Sequence, residues 1–247
     1  MGGFVDPNSS SVDGAVDDHA AHCRAYADPV PTLVLVRHGR TPANAGGRLA
    51  GRTPGVHLDD IGREQAARVG RRLAGVAVVR VVASPLERTV ETAKALVKAR
   101  TDGLRLRRDR GLIEVEYGSW AGRPLAELTA QPLWQTVQSH PSGAAFPEGE
   151  SLADVQHRAV ASVRRHDREV AAEHGADAVW VVVSHADVIK AVLADALGLH
   201  LDQFQRIVVD TASVSIVRYT AERPYVLRMN DHGPDLTGLA GSTPAGT

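Results

Sequence analysis

The chain has 247 residues, 43% hydrophobic and 23% charged, which is enough apolar material to bury a sizeable core and excludes a wholly disordered chain. Its 28 basic and 29 acidic side chains leave a formal charge of −1, so no global field draws the protein to nucleic acid or to an anionic membrane surface. Any anion site must be local, and no apolar run approaches the roughly 18 residues of a membrane span.

Residues 1–30 mix Ser, Asp, Gly and Pro without an apolar period and lack the apolar stretch of a signal peptide, which predicts a disordered leader. The single cysteine, Cys23, lies there; it cannot close an internal disulfide and fits a reducing, cytoplasmic setting. Apolar β-branched runs predict strands over 32–36, 76–84, 178–184, 213–219 and 225–229. Helical periods fall between them. Asp60 is placed to cap a helix whose face carries Ala66, Val69 and Leu73, with Gly75 at its end. "PLERTVETAKALVKAR" places Pro85 in a first turn and repeats Val90, Ala93 and Val97 at helical spacing. Ser151 opens a long helix that reaches Gly175, and "ADVIKAVLADALG" follows the third long strand directly. From His232 to Thr247 the chain is turn-rich and predicts a flexible tail, leaving 31–231 as the folded unit.

Strand and helix alternation argues for a single α/β domain of three layers, a mostly parallel central sheet flanked by helices. Ligands in such sheets gather at the carboxyl ends of strands. Here one strand ends in Arg37-His38-Gly39, another in Ala83-Ser84-Pro85 with Arg88 one helical turn on, and a third in Ser184-His185. One such arginine or histidine is ordinarily a solvated charge or a structural group. Four converging on one sheet edge make a pocket suited to a phosphoryl group: guanidinium forks match phosphate oxygens, helix N-termini add N–H donors, and imidazole can attack phosphorus.

Two other classes compete. Eleven histidines raise a metal hydrolase, yet no His-x-x-x-His pair occurs, and His157, His166 and His174 share one amphipathic helix as ordinary solvated or packed residues. A noncatalytic binder of phosphorylated ligands would be expected to lack the nucleophile or an arginine, and all are present.

"LVRHGRT" with Asn44 downstream, "SPLERTVETA", "LIEVEYGSWAG" and "VVSHADVIKAVL" resemble, in order, the four signature segments of the histidine phosphatase superfamily, the phosphoglycerate mutase-like enzymes. The likeness runs from Leu33 to Tyr219. It implies a phosphohistidine mechanism with no metal and no cofactor, acting on a small phosphorylated metabolite. Carried over by position, His38 is the nucleophile, Arg37 and Arg88 clamp the phosphoryl oxygens, and His185 holds a non-bridging oxygen. Asn44 matches the pocket asparagine, Gly39 the tight turn after the nucleophile, and Ala186 stands where the family often has glycine. The leaving oxygen needs an acid. Glu114 and Glu116 both lie in the third segment, and the family's register, three residues before Tyr117, selects Glu114.

Members that act as mutases insert a long basic stretch between the acid and the second histidine, which keeps water from the phosphoenzyme. Here that interval is short and carries "FPEGES", similar to the "PGGES" of phosphatase-type members. The expectation is therefore a metal-independent, acid phosphatase-like phosphomonoester hydrolase, with cofactor-dependent phosphomutase as the alternative. The segments "SHADVIK" and "FQRIVVDTASVSIVRY" also resemble an actinobacterial subgroup labelled phosphomutase, a label that carries no evidence for that activity. Trp134, His140 and Phe146 fall in the interval that would roof the pocket, where packing is the favoured role over ring stacking on substrate. Arg48 and Arg52 are candidates for reading a second anionic group. The last strands leave an edge able to pair with another chain, a route to a homo-oligomer.

Overall fold

The computed structural model describes residues 30–100 and 103–233. The leader, with Cys23, and nearly all of the expected tail lie outside the described residues. Six strands form one sheet: β1 Thr32–Arg37, β2 Val78–Ala83, β3 Leu106–Arg108, β4 Val179–Ser184, β5 Val214–Tyr219 and β6 Pro224–Asp231, in the order β3-β2-β4-β1-β5-β6. The first four strands of that order run parallel, and β5 and β6 close the far side antiparallel.

Both faces of the sheet are covered, so the strand sequences are apolar at nearly every position. Leu33 and Leu35 point to one face, Val34 and Val36 to the other. The second face packs on the helices α2 (Asp60–Leu73) and α3 (Glu87–Lys98) through Val69, Ala93 and Leu96. The first packs on α6 (Leu152–His174) and α7 (Ala186–Ala196), where Val155, Val163, Val188 and Val192 join the core. Short helices fill the connections: α1 (Pro42–Ala45) after the first strand, α4 (Leu125–Leu128) and α5 (Pro132–Ser139) in the interval before α6.

Helix starts differ from the sequence expectation in two places. Asp59, not Asp60, caps α2, its carboxylate accepting from the Gly62 N–H at 2.7 Å. Pro85 stands outside α3, which begins at Glu87 behind an extended Leu86 that supplies no side-chain cap. The strand β3 was not anticipated, because "LRR" has no apolar period and stands at the sheet edge.

Register brings the pocket together. Arg37 pairs with Ser184 across β1 and β4, so the next residues, His38 and His185, leave the sheet side by side. The His38 N–H continues the ladder to the Ser184 carbonyl at 3.0 Å, and the Ser84 N–H reaches the Val183 carbonyl at 3.0 Å from the other side. Three strand ends are thereby fixed at one level.

Candidate active site

The turn after β1 depends on two glycines. A Cβ on Gly39 would lie 2.3 Å from the Gly62 carbonyl oxygen, and one on Gly62 would lie 2.0 Å from that of Arg40. Backbone meets backbone there, which only glycine permits. The Gly39 N–H donates to Thr92 Oγ1 at 3.0 Å, tying the turn to α3. On the opposite side the Ala212 N–H donates to the carbonyls of both Arg37 and His38 at 3.2 and 3.1 Å.

His38 is 3% exposed and its tautomer follows from its partners. Nδ1 lies 2.7 Å from the Gly39 carbonyl, which can only accept, so Nδ1 carries the proton. Nε2 keeps its lone pair, accepts from Arg88 Nε at 3.3 Å and faces the cavity. Burial, followed by the charges of Arg88 and Arg37, holds the imidazole pKa well below its ordinary 6.5. The ring is neutral and available as a nucleophile.

The charged groups around it are only partly satisfied. Arg37 donates from Nη1 to the Val209 carbonyl at 2.7 Å, and Arg88 from Nη2 to the Gly51 carbonyl at 2.8 Å. Arg37 Nε and Arg88 Nη1 are buried without an acceptor. His185 is fully buried, its ring centroid 5.3 Å from that of His38. His185 Nε2 shares a hydrogen bond of 2.7 Å with the Ser84 hydroxyl, which also accepts from the Leu86 N–H at 3.4 Å. With the hydroxyl as donor in that bond the remaining ring proton stands on Nδ1, which also lacks a hydrogen-bond partner. Three buried donors without acceptors beside one imidazole lone pair are unfavourable unless an anion is bound there.

Glu114 lines the same cavity and is 8% exposed. Its Oε1 accepts from the Val115 N–H at 3.0 Å, while Oε2 stands 3.6 Å from His185 Nδ1 and 4.0 Å from Arg88 Nη2. Burial, then the nearby Asp187 charge, raises this carboxyl to about 7 despite the two arginines. Glu116 turns away into an ion-pair cluster with Arg52 and does not line the cavity. Asn44 also lines the cavity; its Oδ1 accepts from the Thr41 N–H at 3.0 Å and from the Thr41 hydroxyl at 2.8 Å in a capping box. That leaves the Asn44 amide N–H groups for a ligand. Ala186 opens α7 at the cavity wall.

The cavity has a volume of about 450 Å³ and extends beyond these groups to Asp187, Lys190, Gln138 and Asp210. None of these four was singled out by sequence. A signal existed in "ADVIKAVLADALG", since α7 is buried on almost every side and its Asp187 and Lys190 are charges that an apolar helix does not need.

A family model of the histidine phosphatase superfamily (branch 1) matches residues 33–232. The chain belongs to that superfamily. This histidine phosphatase is 30% identical over 200 residues to phosphoserine phosphatase 1 of Hydrogenobacter thermophilus, covering 80% of its own chain and 91% of the relative. It is 31% identical over 196 residues to a Yersinia pestis protein named "Probable phosphoglycerate mutase GpmB", covering 78% and 87%. Among solved structures it is similar to the mycobacterial glucosyl-3-phosphoglycerate phosphatase Rv2419c, at a TM-score of 0.71 with 28% identity and coverage of 81% and 98%. It is also similar to Bacillus stearothermophilus YhfR, at 0.73 with 27% identity and coverage of 81% and 97%. The superfamily, its phosphoglycerate mutase-like fold and an enzyme of the phosphatase or mutase type are thereby established.

In this histidine phosphatase the roles considered for the loop residues resolve by contact. Arg52 does not face the cavity: it donates to the Glu114 carbonyl at 2.8 Å and pairs with Glu116 and Glu150 at 3.1 and 2.8 Å. Arg158 grips Glu150 from the other side at 2.9 Å, so this cluster supports the Glu114 backbone. Arg48 lines the cavity and donates to the Gly122 carbonyl at 2.9 Å. Phe146 packs edge-on against Tyr117 and Trp120, Trp134 stacks on Trp120 at 6.3 Å, and His140 pairs with Asp202 at 3.0 Å. Phe146 and Trp134 thus pack against other rings, and His140 is held in an ion pair.

Proposed function

We propose that this histidine phosphatase is a metal-independent phosphomonoester hydrolase working through phosphohistidine on His38, with Glu114 as general acid and base. The observation that carries this reading is the set of three buried groups without acceptors, Arg37 Nε, Arg88 Nη1 and His185 Nδ1, around His38 Nε2, whose lone pair holds only the long 3.3 Å contact from Arg88 Nε.

A phosphate monoester enters with its non-bridging oxygens on those donors and on the Asn44 amide. Its charge displaces the weak Arg88 contact from Nε2, and the freed lone pair attacks phosphorus in line with the leaving oxygen. The N–P bond forms as the P–O bond breaks. Neutral Glu114 gives its proton to the departing oxygen, so an alcohol leaves in place of an alkoxide. The positive phosphoimidazole is held by the Nδ1–H bond to the Gly39 carbonyl. Glu114, now a carboxylate, takes a proton from water as the water oxygen attacks phosphorus and the P–N bond breaks, returning its electron pair to His38 Nε2. Phosphate departs, and both His38 and Glu114 return to their starting states.

Hydrolysis is favoured over mutase chemistry by the short interval between Glu114 and His185, which leaves Glu114 on an open cavity that water can enter. The test is phosphate release from phenyl phosphate with chelator present, beside 3-phosphoglycerate with and without 2,3-bisphosphoglycerate. Chelator-resistant release that vanishes in His38→Ala, without isomerisation, supports the hydrolase. Bisphosphate-dependent isomerisation would assign a mutase.

A further inference from the structure

The cavity extends past the phosphoryl site to further polar groups. Asp187, in the first turn of α7, is 7% exposed. Its Oδ2 accepts from the Tyr117 hydroxyl at 2.7 Å, but its Oδ1, 3.7 Å from Lys190 Nζ, accepts no hydrogen bond. Lys190, one turn on and 5% exposed, donates to Gln205 Oε1 at 3.2 Å, and Gln205 in turn donates to the Val137 carbonyl at 3.3 Å. Next to Val137 stands Gln138, whose Nε2 is buried without an acceptor. Asp187, whose Oδ1 faces only the Lys190 ammonium and accepts no hydrogen bond, and Gln138, whose Nε2 has no acceptor, both line the same cavity. Each is unfavourable when empty.

We propose that this part of the cavity is a subsite for neighbouring hydroxyl groups of the leaving alcohol, which makes the substrate class the phosphate monoesters of polyols and sugars. This rests on the reading of the site as a phosphomonoester hydrolase. Charge decides the class. Asp187 and Lys190 already neutralise one another in a low-dielectric wall, so a ligand ammonium or carboxylate would have to separate a buried pair or bring an uncompensated charge to it. A hydroxyl adds no charge. One hydroxyl donates to Asp187 Oδ1, a second accepts from Gln138 Nε2, and the carbon skeleton lies along Leu49, Leu125 and Ile207.

The experiment compares kcat/KM of the full chain for glycerol 1-phosphate and for 1-propyl phosphate, which share a three-carbon skeleton with and without the diol. O-phosphoserine and 3-phosphoglycerate supply the charged counterparts, and phenyl phosphate reports phosphoryl transfer alone. The expected result is a preference of about tenfold or more for glycerol 1-phosphate over propyl phosphate, reduced several-fold in Gln138→Leu. Equal values for the two in the wild-type protein, or a preference for phosphoserine or 3-phosphoglycerate, would overturn the subsite while phenyl phosphate turnover upholds the hydrolase. Absence of turnover on every ester, phenyl phosphate included, would overturn both.

Discussion

Arg88 donates from Nε to Nε2 of His38 at 3.3 Å, so the proposed phosphate clamp touches the atom proposed as the nucleophile. The guanidinium is held from behind by the Gly51 carbonyl and presents Nη1 with no acceptor. Arg88→Lys keeps the charge and loses the fork, because a single ammonium nitrogen does not reproduce the spacing of Nε, Nη1 and Nη2 that reaches His38, the cavity and Gly51. The expected loss in kcat/KM is about 10²–10³-fold, measured on phenyl phosphate. A loss below tenfold would show that charge alone suffices.

The Glu114 carboxyl, raised to about 7 by burial and by Asp187, is mostly protonated below neutrality and loses its proton above it. Phosphoryl transfer from an alkyl ester should therefore decline as pH rises through about 7. His38 is held neutral well below 6.5, so its own protonation limits the rate only at lower pH. In Glu114→Gln the alkaline limb should disappear and the rate fall by about 10²–10⁴-fold. An unchanged limb would place the ionising acid elsewhere, and full activity in this variant with loss in Glu116→Gln would reverse the assignment.

The same shift has a cost in stability. A glutamate at 4.5 when unfolded and about 7 when folded contributes stability that is full below pH 4.5 and is lost as pH rises through 7. The shift corresponds to about 3 kcal/mol. Glu114→Gln cannot ionise, so its stability relative to wild type should rise by up to that amount between pH 4.5 and pH 8, read by urea unfolding. The depressed histidines shift stability with pH in both proteins and cancel in the comparison.

Gly39→Ala puts a methyl group 2.3 Å from the Gly62 carbonyl, with backbone on both sides. Separating the turn from α2 should cost about 1–3 kcal/mol. Because His38 precedes this residue, kcat should fall with Tm. A variant that melts as wild type and turns over normally would contradict the close approach.

Arg52→Ala removes support from the Glu114 carbonyl and from Glu116 and Glu150. Its effect should fall mainly on kcat and be the same for a substrate with one anionic group as for one with two. A loss confined to the doubly anionic substrate would restore Arg52 as a reader of the second charge.

The strand ends that carry Arg37, His38, Ser184 and His185 were legible in the sequence because buried parallel strands are apolar throughout, and their sudden polar endings stand out. The long helices showed through their periods and caps, to within a residue or two. Between Arg110 and Ser151, Glu114 was found by motif, but the secondary structure was not legible: that stretch is built of 3-10 turns, a four-residue helix and the eight-residue α5, with the Arg52-Glu150-Arg158 cluster at its ends, and contacts between distant residues leave no local period. Asp187 and Lys190 were passed over for the opposite reason. They lie inside a strongly helical segment, where helical spacing explains position but not why a charge is buried.

Transfer of the phosphoryl group to His38 Nε2 can be captured directly. Glu114→Gln given an aryl phosphate with an acidic phenol needs no proton for the first step but lacks the base for the second, so the phosphoenzyme should accumulate. Quenched in alkaline denaturant and weighed intact, with chelator present throughout, the protein should carry one added phosphoryl group that maps to His38 and is absent from His38→Ala. Release of the phenol with no adduct at any time, together with turnover that survives in His38→Ala, would rule out phosphohistidine on His38.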